Sequence, residues 1–129
     1  MPEISLLNPP TLGAPLGPYS HIARVKAASE FIFIAGQVGG GAEDFAGQCD
    51  AAFANVGKAL AAVGAGWGNI VQFTTYLVHS QDIARLMAWR QREFPRLFPG
   101  GAYPPNTLLI VDRLVEERLL IEVQAVAAL

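Results

Sequence analysis

Ile70-Val71-Gln72-Phe73-Thr74-Thr75-Tyr76-Leu77-Val78 is a run of β-branched and aromatic residues, and the patterns on either side of it decide the architecture. Val71, Phe73, Thr75 and Leu77 alternate with Ile70, Gln72, Thr74 and Tyr76, so both faces suit a strand held between layers and placed centrally in a sheet. Upstream the period changes to three or four: Phe45, Cys49, Ala52, Phe53, Val56, Leu60 and Val63 form one apolar stripe on a helix from about Asp44 to Val63, stopped by Gly64. Downstream, Ser80 is placed to cap a second helix with Asp82 in its first turn. Ile83, Leu86, Met87, Arg90 and Phe94 share one face of it until Pro95 and Pro99 end it.

Strands are expected on both flanks of this centre. Ile4 to Leu7 reads as a short strand before an irregular segment enforced by Pro9, Pro10, Gly13, Pro15, Gly17 and Pro18. His21–Lys26 and Phe31–Gly36 are expected to pair as an antiparallel hairpin through a tight turn at Ala27-Ala28-Ser29-Glu30. After a proline-rich loop to Pro105, Thr107–Val111 and Leu119–Ala127 read as two more strands, linked by a charged turn around Arg113 and Glu116-Glu117. The order is βββαβαββ, an α+β fold in one domain over residues 1–129, with no repeat, low-complexity tract or linker.

Composition narrows the function. Hydrophobic residues make up 52% of the 129 and charged residues 16%, enough to fill one core and leave apolar surface for a partner subunit. A net charge of −2 offers no field for a phosphate backbone, so nucleic acid is not an expected partner. The single cysteine, Cys49, cannot form an internal disulfide, and with His21 and His79 it makes no metal-ligand spacing; no metal and no cofactor are expected. The N-terminus lacks a basic, apolar leader and no apolar run reaches spanning length, so a cytoplasmic protein without membrane association is expected.

Glu122 carries the most chemical information. It interrupts Leu119-Leu120-Ile121 and Val123 in a strand that otherwise wants burial, and shares a face with Leu120, Gln124 and Val126. Either it moves protons in a sheltered site, or it is an edge-strand charge that blocks aggregation. Gly36 marks either a bulge or a close approach to the backbone. Tyr19, in the stiff Gly17-Pro18-Tyr19-Ser20 loop, either packs or covers a ligand. Gly39-Gly40-Gly41 reads as a plain turn because no Gly-Lys-Ser/Thr follows. Cys49 reads as inert packing, His79 as a surface residue, and Trp67 and Trp89 as packing or interface groups; no nucleophile elbow is present.

Taken in order, Gly17-Pro18-Tyr19-Ser20, Phe33-Ile34-Ala35-Gly36-Gln37, Ala62-Val63-Gly64, Asn69 to Leu77, Arg113-Leu114 and Ile121-Glu122-Val123-Gln124-Ala125-Val126-Ala127 resemble the Rid family (RidA, YjgF-like, also labelled endoribonuclease L-PSP) over nearly the whole chain. The resemblance implies a mixed sheet with two helices on one face, similar to chorismate mutase, assembled as a barrel-like homotrimer with clefts at the subunit interfaces. It implies a small-molecule substrate: RidA-type members hydrolyse reactive enamines or imines, such as 2-aminoacrylate, to a 2-keto acid and ammonia. By position, Glu122 matches the family's proton-moving glutamate, Tyr19 its cleft tyrosine, and Gly36 and Gln37 its strand-end glycine and glutamine.

Four positions depart from that pattern. Asn106 stands where the deaminases carry a carboxylate-clamping arginine, Leu108 where many carry cysteine, Ala35 in place of serine and Met87 in place of asparagine. Losing the arginine removes a contact worth about 1.5 to 3 kcal/mol, so ordinary 2-aminoacrylate deaminase activity is expected to be weak. Asn106 suits a neutral amide, hydroxyl or carbonyl, and Ala35, Met87 and Leu108 suit a larger, less charged ligand. The leading expectation is an imine or enamine hydrolase with Glu122 moving protons; the alternative is a metabolite-binding trimer without catalysis.

Overall fold

Alternation along the last strand sets the sheet. In the computed structural model, which describes residues 1–129, Ile121, Val123, Ala125 and Ala127 are buried while Glu122, Gln124 and Val126 turn to the opposite face. The elements are β1 (Glu3–Leu7), β2 (Ile22–Lys26), β3 (Phe31–Val38), α1 (Phe45–Ala62), β4 (Ile70–Leu77), α2 (Asp82–Leu97), β5 (Asn106–Ile110) and β6 (Ile121–Ala128). The main sheet runs β3-β6-β4-β5, with β4 and β5 parallel and the other pairs antiparallel. It is therefore a mixed sheet, and β4 and β6 are its interior strands.

Both helices pack on one face. The stripe read in the sequence is the one buried on α1: Phe45, Cys49, Ala52, Phe53, Val56 and Leu60, capped at its start by Asp44, whose carboxylate accepts from the Gly47 amide at 3.2 Å. Phe53 stacks on Trp89 of α2 with centroids 4.5 Å apart and meets Phe73 and Phe94 edge-on at 5.8 Å. Each such fully buried ring contributes about 2 to 3 kcal/mol relative to exposure. Trp67 and Trp89 are packing residues here: Trp67 meets Phe98, and the Trp89 indole donates to Asp50 at 2.8 Å.

Four local expectations are corrected. β2 and β3 do not form a hairpin: β2 pairs with β1 in a separate two-stranded sheet, and β3 pairs with β6. The cause lies at the C-terminus, where the Ser29 and Glu30 amides donate to the Leu129 carbonyl and the Leu129 amide donates to Glu30, while Ala27 takes a left-handed φ of 57° that turns the chain away. Pro95 lies inside α2 instead of ending it; so near the C-terminus its missing N–H removes one ladder bond, and Phe98 closes the last turn on Phe94. Ser80 supplies no cap, since α2 begins after Gln81 without a side-chain cap, and Val63 is exposed beyond the stripe.

Candidate functional site

Glu122 sits on the sheet face away from the helices, on a strand paired to β3 on one side and β4 on the other, with Val38 and Tyr76 as its cross-strand neighbours. That interior position removes the edge-strand reading of its charge. The half-buried carboxylate lies against the backbone at Gly36, where an added Cβ would sit 2.5 Å from Glu122 Cδ and 2.8 Å from its Oε2. Gly36 falls in the register shift between Ile34 and Gln37, so the bulge and the close approach are one feature. Gln37 closes the corner by donating from Nε2 to the Ala35 carbonyl at 3.0 Å. On the same face the Tyr76 hydroxyl donates to Gln124 Oε1 at 3.1 Å.

Asn106, Leu108 and Met87 lie elsewhere. In the parallel register Asn106 and Leu108 lie opposite Phe73 and Thr75, both fully buried, so these two side chains face the helix layer. Met87 lies on α2, and its sulfur packs against Gly17, where an added Cβ would be 3.2 Å away; that contact seats the Tyr19 loop on the helix. Tyr19 accepts the Leu16 amide on its hydroxyl at 3.2 Å and meets the His21 ring edge-on at 5.8 Å. His21 ties the loop down further, with Nε2 3.0 Å from the Gly13 carbonyl. Within one chain the sheet thus separates Glu122, Gly36 and Ala35 from Asn106, Leu108, Met87 and the Tyr19 loop, while Gln37, opposite the buried Val123, falls on the helix side.

Two buried polar side chains were not singled out as site residues from sequence. Gln48 of α1 is 0% exposed and spends its whole amide: Nε2 donates to Ala42 and Arg118 carbonyls, and Oε1 accepts the Leu120 amide at 2.7 Å. Arg90 of α2 is 1% exposed; its Nη2 donates to Thr75 Oγ1 at 2.8 Å and Asn106 Oδ1 at 3.0 Å. Its guanidinium also lies 5.4 Å from the Phe94 centroid. Desolvation by burial brings its pKa down to about 10, which leaves it charged at neutral pH. The signal for both was a polar residue on an apolar helical stripe. Cys49, fully buried beside them, has its thiol pushed from 9.0 to about 12, first by burial and then by Asp50, and is inert packing.

No group of three or more His, Cys, Asp or Glu side chains converges to hold a metal, and no helix is long and apolar enough to cross a membrane. The open sheet face carries Phe31 and Phe33, 53% and 78% exposed, next to the Glu122 strand.

The model of the family described as Endoribonuclease L-PSP matches residues 11–129. A RutC family protein from Synechocystis is 30% identical over 124 residues, 90% of this chain and 89% of that one. Among solved structures, YyfB from Yersinia pestis, a conserved Rid family protein of unknown function, is 26% identical with a TM-score of 0.83 over 98% of both chains. The YjgF gene product of E. coli is also 26% identical, with a TM-score of 0.70 over 89% of this chain and 91% of that one.

Proposed function

The chain belongs to the endoribonuclease L-PSP family, the Rid/YjgF group, and from that premise we propose that it is a homotrimeric enzyme hydrolysing the C=N bond of a small imine, or of an enamine through its imine tautomer. The observation that carries this reading is the Glu122 carboxylate, fixed on an interior strand and lodged against the bare backbone of Gly36. A carboxylate held there takes a proton from a water molecule as its oxygen bonds to the imine carbon, and passes that proton to the nitrogen. The resulting carbinolamine then breaks its C–N bond. Glu122 takes the hydroxyl proton as the carbonyl forms and hands it to the departing nitrogen, which leaves as ammonia, so imine plus water gives carbonyl compound plus ammonia.

The same geometry supports an assembly of copies, and membership of the family supports three of them. Glu122 with Gly36 lies on one side of the sheet, while Asn106, Leu108, Met87 and Tyr19 belong to the other side or the loop beside it. A complete cleft needs the open face of one copy set against the helix-and-loop side of the next. Exposed Phe31 and Phe33 on that open face supply the apolar surface for such packing. An acidic balance of nine Lys+Arg against eleven Asp+Glu argues against RNA as substrate.

The test is hydrolysis of imines generated enzymatically from several amino acids. Wild type is expected to exceed buffer, and Glu122→Gln to lose about 100-fold or more of the rate while still forming the oligomer. Equal, buffer-level rates for both, with saturable metabolite binding, favour a binding protein without catalysis.

A further inference from the structure

Residues 1–28 are joined to the rest of the chain by little more than the polypeptide itself. β1 and β2 pair only with each other, from Glu3 with Lys26 to Leu7 with Ile22. The loop between them is likewise self-contained: the Asn8 side chain accepts the His21 amide, the His21 ring bonds the Gly13 carbonyl, and the Tyr19 hydroxyl accepts the Leu16 amide. No hydrogen bond and no ion pair crosses from residues 1–28 to residues 29–129.

The apolar packing is just as thin. The core begins at Ile34, and Ser20 is the one buried residue of the first 28. Ile4 and Leu6 of β1 and Ala23 and Val25 of β2 line the seam with the body, yet all four are only half-buried. A cavity of about 410 Å³ parts Ile4 and Leu6 from Trp67 and Phe98, and one of about 380 Å³ parts Ala23 and Val25 from Val71 and Gln72. Two surfaces belonging to one core would close such gaps, because protein interiors leave few voids larger than a water molecule.

The junction is suited to turning. Ala27 is the only non-glycine residue with a positive φ, and directly after it Ser29 and Glu30 are anchored to the Leu129 carbonyl. A short stretch that absorbs a large backbone change between two self-bonded bodies is a hinge. The Tyr19 loop meets α2 where Gly17 lies on the Met87 sulfur, an apolar contact that parts without breaking a hydrogen bond.

We propose that residues 1–28 are a flap, which swings as one body about Ala27–Ser29 and carries Tyr19 off α2 and back while the core stays folded. Open, it clears the Tyr19 side of the cleft for ligand entry and product release; closed, it covers that side. This role in access rests on the reaction proposed above, but the motion is tested without a substrate.

The experiment compares two thiols in one molecule. Val71→Cys places a thiol beneath β2, at a position 9% exposed, and Cys49, 0% exposed in α1, is the reference. A maleimide is added to the full chain and the rate at each site is read from its peptide mass. The thiol at position 71 is expected to react about 100-fold or more faster than Cys49, at a rate that low denaturant barely changes, yet more slowly than in the unfolded chain. Equal rates with equal denaturant dependence overturn the flap, since the ribbon then lifts only when the whole chain unfolds. A rate equal to that of the unfolded chain overturns it too, since nothing then covers the position. Ile70→Cys, lining the other cavity at 2% exposure, is read in the same way and covers the case in which Val71→Cys does not fold.

A reducible bis-maleimide across the smaller cavity, in the double variant Ala23→Cys with Gln72→Cys, ties the flap down within one chain. Locking is expected to slow imine hydrolysis about tenfold or more, and reduction of the linker to restore it. Hydrolysis as fast in the locked protein as in the released one overturns the role of the flap in access. The two proposals fail separately. Fast labelling at position 71 in a protein that hydrolyses no imine keeps the flap and overturns the reaction. Hydrolysis in a protein whose position 71 reacts only as fast as Cys49 keeps the reaction and overturns the flap.

Discussion

Gly36 and Gly39 lie three residues apart where β3 leaves the sheet, and both are crowded, but by different things. A Cβ at Gly39 would meet the Gln48 backbone of α1, with Cα 2.7 Å away and the carbonyl oxygen closer still. A Cβ at Gly36 would meet the Cδ of Glu122 at 2.5 Å, the end of a side chain that can swing aside. The first glycine lets a loop close on a helix whose backbone cannot move. The second lets a carboxylate lie on a strand. One contact therefore belongs to folding and the other to the site, although the sequence presents both as glycines at the end of the same strand.

The largest effect is expected where the obstacle is rigid. Gly39→Ala forces the loop off α1 and is expected to cost about 3 kcal/mol in chemical denaturation. Gln48→Leu comes next, at about 2 kcal/mol, because it strands the Leu120 amide and the Ala42 and Arg118 carbonyls that now share one amide. If Gly39→Ala instead leaves the denaturation midpoint unchanged, the loop is free of the helix and the contrast with Gly36 disappears.

Gly36→Ala reverses the balance between stability and activity. Glu122 can rotate away, so the expected loss of stability is only about 1 kcal/mol, while imine hydrolysis is expected to fall toward the rate of Glu122→Gln. The two measurements belong on the same preparation. A stability loss as large as that of Gly39→Ala, with activity per folded molecule preserved, would show that Glu122 is a packing residue.

How much of this was legible in the sequence follows the range of each interaction. The α1 stripe, the β4 run and the misfit of Glu122 among apolar neighbours are short-range patterns, and apart from Val63 at the end of the stripe the structure repeats them. Strand partnership is not short-range: Phe31–Val38 looks like the natural mate of Ile22–Lys26, but its partner arrives about ninety residues later, at the end of the chain. The division of the candidate residues between two sides was equally hidden. It depends on the parallel register that sets Asn106 opposite Phe73, and no local pattern reports a register. Arg90 was visible on the apolar face of its helix, but only packing shows that no carboxylate reaches it.

The smallest expected effect concerns Cys49, which shares the interior with Arg90 but has a well-matched environment. A buried neutral thiol is stabilised relative to its ionised form, and its pKa of about 12 lies above the ordinary 9.0. Because the folded value is raised, the stability linked to it is fully present below about pH 9 and declines as the pH climbs toward 12. At neutral pH nothing should be seen: a chromogenic disulfide reagent is expected to modify Cys49 only as fast as the protein opens, and at the full rate in denaturant. Between pH 9 and 11 the wild-type denaturation midpoint should fall more steeply than that of Cys49→Ala. Parallel slopes, or rapid labelling of the native protein at pH 8, would mean that water reaches the thiol and with it the layer of the core that holds Arg90.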